Sequence, residues 1–328
     1  MKRELLCFCL LLLLHIGCVE TVDLVEQYYY PQKLVIEGEI SNDSPPYYFR
    51  LFKSGALNAS YFEGVENALL ILSDNTGKKD TLQPLEKDIY LSRNYETCSY
   101  YYIDDRGDSI YICSKSKKIS DPKSIFDGYF ASHHIRGIPG NTYTLEIIYD
   151  EHRYIATEKM QSIPEVTNFE IRYVSHEKEG WQLTPFIDFI NPSHENNYYI
   201  FSFKRSSLEE IMDMVNIKNW SYSITDGQNL PLNVRNFQVN SGETSKGYPT
   251  NMWYPFNETD SATIRVGSIS ESYFNFVSGQ IDQLRADGGA YMPSPTSLKG
   301  NFGNEILGYF RVISVCEKKT LYDKKDNP

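Results

Sequence analysis

The chain has 328 residues with 43 Asp and Glu against 32 Lys and Arg, which gives a formal net charge of −11. This acidity argues against nucleic acid as a partner, since binding there depends on cations that neutralise phosphates. It also argues against attachment to anionic lipid through the chain's own charge. Aromatic residues make up 14% of the chain and often alternate with polar residues, which favours β structure over disorder.

The first residues carry the pattern of a bacterial lipoprotein signal. Lys2 and Arg3 precede an apolar run at 5–14, about half of the roughly 20 residues that a membrane-spanning helix needs. The run ends four positions before Cys18, and a cysteine directly after the presumed cleavage site is typical of chains that are acylated there. Several acyl chains would hold the protein firmly, because each buried CH2 group contributes about 0.8 kcal/mol. An ordinary signal peptide followed by a coincidental cysteine is the alternative.

We therefore predict a lipid anchor at Cys18 and four segments in the chain. These are a signal peptide at 1–17, a tether at 18–32, a first domain at 33–161 and a second domain at 162–328.

The first predicted domain shows successive short strands separated by turn residues. Apolar and polar residues follow strand patterns in three runs, at 33–40, 47–55 and 66–74. A hairpin with its turn at 150–153 is predicted at 141–160. Strands recur about every 10–15 residues without a long helical period, which predicts an immunoglobulin-like β-sandwich.

A second hairpin is predicted between Cys98 and Cys113. The two cysteines flank aromatic-rich runs joined by a turn at 104–107, and they are equidistant from the centre of that turn. A simple register would place them opposite each other, and an oxidising compartment then predicts a disulfide. Two half-buried thiols that pack as small apolar groups are the alternative. Cys316 lies in a strand-like run and is predicted to be a core residue.

The second domain is predicted to be β-rich with one or two short helices. Tyr199, Phe201 and Phe203 share one face of a predicted strand, and residues 206–217 fit a short helix. A better helix is predicted from Ser268, which forms a capping box with the glutamate three residues later. Apolar residues then recur at helical spacing: Tyr273, Phe276, Val277, Ile281 and Leu284. The chain as a whole is predicted to be mainly β.

Several segments together resemble one family. They are CVETVDL, KLVIEGEISNDSPPYYFRL, GIPGNTYTLEIIY with YIATEKMQSIPEV, NPSHENNYYIFSF, ISESYFNF and PSPTSLKGNFGNEILGYFRV. They resemble the Bacteroidota outer-membrane lipoproteins of domain of unknown function 4249, in the family's order. The resemblance implies a surface lipoprotein, often found beside TonB-dependent outer-membrane transporters. It brings no catalytic residues. The acids Glu20, Asp23 and Glu26 resemble the acidic start that directs such lipoproteins to the cell surface.

Three tripeptides match the short Bacteroidota O-glycosylation pattern of Asp, then Ser or Thr, then an aliphatic or small residue. The predicted acceptors are Thr81, Ser109 and Ser261. A pattern of three residues also arises by chance, which is the alternative at each position.

Catalytic motifs are not found in the sequence. It contains no G-x-S-x-G elbow, H-E-x-x-H helix, P-loop or C-x-x-C pair. His133 and His134 are neighbours, and neighbours on a strand point to opposite faces, so no metal site and no cofactor are predicted. Three aromatics on a predicted loop are the candidate partner contact: Trp253, Tyr254 and Phe256. Rings that fill the chain's own core or another interface are the alternative.

These observations predict a non-enzymatic binding or accessory subunit of a TonB-dependent transporter or a similar outer-membrane β-barrel. The expected location is the outer membrane, through a lipid anchor at the cell surface. A structural subunit of an outer-membrane protein assembly or export complex is the alternative. A hydrolase with an unrecognised site is a third class.

Overall fold

The computed structural model describes residues 32–55, 62–85, 90–91, 99–103, 109–113, 128–176, 180–192, 197–205, 221–239, 246–247, 261–285 and 298–321. The chain divides into two compact units, Met1–Gln32 and Lys33–Pro328, and every element given below belongs to the second. This unit is mainly β, as predicted, and one α-helix lies within the described residues, α1 (Glu271–Arg285).

The strands follow the chain in this order: β1 (Leu34–Ser41), β2 (Tyr47–Lys53), β3 (Leu69–Asp74), β4 (Lys79–Thr81), β5 (Gln83–Pro84), β6 (Tyr90–Leu91), β7 (Ser99–Ile103), β8 (Ser109–Cys113), β9 (Tyr129–Ser132), β10 (Thr142–Tyr149), β11 (His152–Lys159), β12 (Glu165–His176), β13 (Gly180–Ile190), β14 (Tyr198–Arg205), β15 (Ser221–Asp226), β16 (Asn233–Gln238), β17 (Lys246–Gly247), β18 (Ser261–Ile269) and β19 (Ile306–Leu321).

Four sheets contain these strands. The largest has nine strands in the order β17-β15-β14-β18-β19-β1-β2-β9-β5. A four-stranded sheet has the order β11-β10-β3-β4, and two three-stranded sheets have the orders β12-β13-β16 and β6-β7-β8.

The last strand, β19, joins the two predicted domains within one sheet. It pairs in parallel with β1, where Leu34 lies opposite Ile306. On its other side it pairs antiparallel with β18, where Val266 lies opposite Cys316. The predicted boundary between residues 161 and 162 therefore does not separate the described strands into two sets of sheets.

Three clusters of buried side chains hold these layers together. In the first, Phe49 and Phe310 of the nine-stranded sheet pack with Leu72 and Tyr143 of the four-stranded sheet. Gly38 lies opposite Phe49, and a Cβ there would lie 2.1 Å from that ring, so glycine makes room for the phenylalanine.

The second and third clusters lie at the other end of the nine-stranded sheet. Phe201 of β14 packs with Phe189 of the β12-β13-β16 sheet, their ring centroids 6.0 Å apart. Cys316 is half-buried and packs against this cluster. The third cluster joins Tyr273 on α1 to Tyr309 on β19, with centroids 5.0 Å apart.

The predicted hairpin at 141–160 matches β10 and β11. Asp150 and Glu151 both have positive φ, 49° and 61°, as a two-residue turn that follows the strand twist requires. The predicted capping residue was wrong, because Ser268 is still in β18 and pairs with Tyr199 and Ser314. The cap is Ser270, whose Oγ accepts a hydrogen bond from the Tyr273 amide at 3.2 Å. The predicted helix at 206–217 lies outside the described residues.

Candidate functional site

Most of the predicted site residues lie outside the described parts of the chain. These are Cys18, Cys98, Trp253, Tyr254 and Phe256. The lipid anchor and the aromatic contact loop therefore stay predictions.

The predicted disulfide also stays a prediction, but its register differs by one residue. Cys113 is the last residue of β8 and lies opposite Ser99 of β7, while Ile103 lies opposite Ser109. The symmetric hairpin assumed from the sequence would place Cys113 opposite Cys98 instead.

Thr81 is exposed at the end of β4, but its two neighbours are buried. Asp80 is 5% exposed and Leu82 is 3% exposed. Oδ2 of Asp80 accepts hydrogen bonds from Ser132 Oγ at 2.7 Å and from the amide of His133 at 2.9 Å. In the folded chain, then, only the central residue of this predicted glycosylation tripeptide is accessible. Ser261, a second predicted acceptor, is half-buried at the start of β18.

The backbone amides of the two neighbouring histidines hold the side chain of Asp80. The amide of His134 donates to Asp80 Oδ2 at 3.0 Å, beside the bond from His133. The two imidazole centroids lie 6.3 Å apart. Within the described ranges, no group of three or more His, Cys, Asp or Glu residues is arranged to hold a metal ion.

A buried polar cluster at the start of α1 is the main feature that sequence reasoning missed. Glu158 of β11 is 7% exposed and Tyr309 of β19 is 4% exposed. The Tyr309 hydroxyl lies 3.1 Å from Glu158 Oε2 and 2.7 Å from Ser272 Oγ. Ser272 also lies 3.2 Å from Glu158 Oε1, and the Asn301 amide nitrogen lies 3.5 Å from Oε2. We call these four residues the Glu158 cluster.

The end of β18 creates the space for this cluster. The pairing of β18 with β19 stops at Ser268 and Ser314, so Tyr309 lies beyond the reach of β18. The helix begins at this point, and Ser272 in its first turn is exposed. The partial positive charge of a helix N-terminus favours a nearby carboxylate such as that of Glu158. The alternation of β11 supplied a signal, because Ala156, Glu158 and Met160 share its inward face.

Electrostatics keep Tyr309 protonated. Burial raises the pKa of its hydroxyl, and the charge of Glu158 raises it further, while the hydrogen bond with Ser272 opposes this shift. A neutral tyrosine and two further donors can satisfy a carboxylate whose water has been removed. The Glu158 cluster can therefore fasten β11, β19 and α1 to one another.

A row of polar and aromatic residues crosses the nine-stranded sheet on the face that carries Tyr309. Tyr309, Glu37, Arg50 and Tyr129 are successive register partners on four strands. The Arg50 guanidinium carbon lies 4.7 Å from the centre of the Phe52 ring and 5.3 Å from that of Tyr129. Such contacts stabilise a partly desolvated cation.

Arg311 extends this charged region toward α1. Its Nε lies 3.3 Å from Glu39 Oε2 and its Nη1 lies 3.3 Å from the Tyr273 hydroxyl. Burial of the guanidinium lowers its pKa, but Tyr273, Glu39 and Glu37 together outweigh this and raise it. Arg311 therefore stays charged and pairs with the Glu39 carboxylate on a partly buried surface.

Within the described residues, the buried carboxylates accept hydrogen bonds from groups of the fold. Asp74, Asp80 and Glu158 are each less than 10% exposed. Asp74 Oδ1 accepts hydrogen bonds from Thr76 Oγ1 at 2.6 Å and from the Lys78 amide at 3.0 Å, so it fixes the turn after β3. Each of the three thus accepts several donors, an arrangement that anchors loops and strands.

These residues define a mainly β protein in which two smaller sheets and a helix pack with one long sheet. None of the described helical segments is long and apolar enough to span a bilayer. The family model for a "Domain of unknown function (DUF4249)" matches residues 19–319, and the chain belongs to this family. The match confirms the family predicted from the sequence segments. No curated protein matches the chain.

Proposed function

We propose that the chain is a surface-exposed outer-membrane lipoprotein, and that it acts as a non-enzymatic accessory subunit of a TonB-dependent transporter or a similar barrel. The observation that carries this proposal is the position of Cys18 relative to the family domain. The family match begins at residue 19, directly after the cysteine that follows the predicted signal segment. Residues 1–17 thus lie outside the matched domain, as a cleaved signal would.

The short span between the anchor and the scaffold supports the same proposal. Strand β1 begins at Leu34, so 34 − 18 − 1 = 15 residues lie between it and Cys18. A chain of this length reaches at most about 55 Å when fully extended. An acylated Cys18 would therefore keep the β-rich unit close to the membrane, within reach of a barrel.

The buried carboxylates support a binding role over a catalytic one. Asp80 and Glu158 both accept several hydrogen bonds from groups of the fold. A general acid or base needs a free path to a substrate proton, and these contacts occupy Oδ2 of Asp80 and both carboxylate oxygens of Glu158.

Acylation can be tested by labelling cells with a palmitate analogue. The wild-type protein is expected to incorporate the label and to fractionate with the outer membrane in high salt. Cys18→Ala is expected to give a soluble or uncleaved protein without label. An unlabelled wild type, together with a variant that still fractionates with the outer membrane, would show that the anchor is wrong.

The partner can be tested by isolation of the wild-type protein from its native outer membrane in mild detergent. A barrel protein in stoichiometric amount supports the proposal, and its absence contradicts it.

Depletion of the protein distinguishes an accessory role in transport from the role of a subunit in an assembly or export complex. Loss of an accessory subunit should impair growth on one nutrient, whereas loss of an assembly subunit should disturb many outer-membrane proteins.

A further inference from the structure

The outward side of the four-stranded sheet carries an exposed aliphatic patch. Leu69 and Ile155 are 42% and 45% exposed, and Ile71 and Ile148 are half-buried. The register places Leu69 beside Ile148, and Glu146 lies between Ile71 and Ile155. Because register partners share a face, these four aliphatic residues form one patch. Contiguous exposed patches of this kind mark interaction sites more often than scattered single residues do.

Cations lie beside this patch on an acidic protein, two of them toward the end of the sheet away from the turn at 150–151. Lys79, Arg153 and Lys159 are exposed and point outward from the same sheet, against one outward carboxylate, Glu146. The face therefore carries +3 − 1 = +2, while the rest of the chain carries −11 − 2 = −13. Arg153 binds Glu146 through two hydrogen bonds, of 2.5 and 3.1 Å, so Lys79 and Lys159 supply the excess charge. We call this side of the sheet, with its patch and cations, the basic face.

The basic face is rigid and already formed. The inward residues of the same strands, Leu70, Leu72, Tyr143 and Leu145, are fully buried in the first core cluster. Its four strands, about 4.8 Å apart and about 20 Å long, present roughly 400 Å². That is about half of what one partner contributes to an interface of standard size. A preformed surface loses little conformational freedom on binding, which favours association.

The composition of the face favours a protein partner over a lipid surface. Its outward residues include no aromatic side chain, although Trp and Tyr are enriched where proteins meet the membrane interface. Lipid recognition through charge uses clusters of about four to eight cations, and this face has three.

We propose that the basic face docks onto an acidic protein surface with an exposed aliphatic centre, and that this surface belongs to the barrel partner. The inference rests on the proposed function for the identity of the partner. The aliphatic patch is the centre of the contact, and Lys79 and Lys159 form the rim on one side of it. A rim of this sign selects an acidic partner and speeds association.

The experiment compares face variants with matched controls in the full-length protein, isolated from native outer membranes. Ile155→Glu places a charge in the patch, and Lys79→Glu with Lys159→Glu reverses the rim. The controls are Leu232→Glu, at a leucine that is 50% exposed between β15 and β16, and Lys318→Glu, at an exposed lysine of β19. We expect the amount of barrel protein recovered with each face variant to fall about tenfold or more relative to the wild type. The controls should recover wild-type amounts, and all variants should keep the wild-type thermal midpoint.

The possible outcomes separate this inference from the proposed function. Absence of a barrel from the wild-type preparation overturns the proposed function. Recovery of the barrel by the wild type and equally by the face variants overturns the docking surface alone.

A photoreactive p-benzoylphenylalanine in place of Ile155 gives a second measurement in cells. Crosslinks to the recovered barrel support the docking surface, whereas crosslinks to lipid alone, or none, overturn it.

Discussion

The hydroxyl of Tyr309 lies 3.1 Å from Glu158 Oε2, although the two residues are 151 positions apart in the sequence. Glu158 is on the edge strand of the four-stranded sheet, and Tyr309 is on the strand that joins both halves of the nine-stranded sheet. Ser272 links the pair to the first turn of α1. Three elements that are distant in the sequence thus share one buried carboxylate.

We expect Glu158→Ala to lower the free energy of unfolding by about 2 kcal/mol, because it removes the buried carboxylate that accepts hydrogen bonds from Tyr309 and its neighbours. Tyr309→Phe removes one donor and should cost about 1 kcal/mol. Urea unfolding at neutral pH measures both. Glu151→Ala, at an exposed turn position, is the matched control and should change little. Equal stability of Glu158→Ala and this control would show that the Glu158 cluster does not fasten the sheets.

Acid should lower the free energy of unfolding, partly because Asp188 becomes protonated. Its pKa is lowered, first by the hydrogen bond from the Asn236 amide at 2.7 Å and then by Arg235, with burial opposing. A carboxylate whose pKa is lowered by folding stabilises the fold above its unfolded pKa, and that stability is lost as pH falls through the folded value. We therefore expect this contribution to disappear below about pH 4.

Asp188→Asn is the variant that isolates this effect. It should be less stable than the wild type at pH 7, and the difference should shrink as the pH falls below about 4. Urea unfolding at a series of pH values gives the comparison. Arg235→Gln should retain most of the pH dependence, because the backbone bond from Asn236 is the larger cause. A wild type and an Asp188→Asn variant with parallel pH profiles would contradict the assignment.

If Thr81 is glycosylated, the modification should occur before the chain folds. Asp80 and Leu82 are buried on either side of Thr81, and the Asp80 carboxylate is occupied by Ser132 and by two backbone amides. An enzyme that recognises the tripeptide cannot contact these neighbours in the native state. Glycopeptide mass spectrometry should find sugar on Thr81 only in protein exported through the cell's own pathway. Purified folded protein that accepts sugar at Thr81 from the same enzymes would disprove this order of events.

Local features of the sequence predicted local structure well. The alternation at 141–160 predicted the β10-β11 hairpin, and helical spacing predicted the buried residues Tyr273, Val277 and Ile281 of α1. Pairing between β1 and β19 could not be predicted, because local patterns do not record which distant strand lies alongside. The helix start was placed two residues early, since Ser268 and Ser270 both suit a cap and only the pairing of β18 distinguishes them.

Distant contacts also explain why the Glu158 cluster was missed. Glu158 stands on the inward face of an alternating strand, where a carboxylate is unusual, and that was the available signal. Its partners Ser272, Asn301 and Tyr309 come from segments more than 100 residues further along the chain. Without the fold, nothing in the sequence associates them with a glutamate in a hairpin.

The aromatic loop predicted from the sequence would be a second contact with the partner, beside the basic face. Trp253→Ala combined with Tyr254→Ala should weaken barrel recovery, because aromatic anchors in a buried interface each contribute about 2 kcal/mol or more. The thermal midpoint should stay near the wild-type value if these rings contact a partner. If they fill the chain's own core, the same change should cost several kcal/mol of stability. A large fall in the midpoint, or full recovery of the barrel, would therefore contradict the contact. Combination with Ile155→Glu then tests whether the loop and the basic face are energetically coupled, since independent sites should give additive losses.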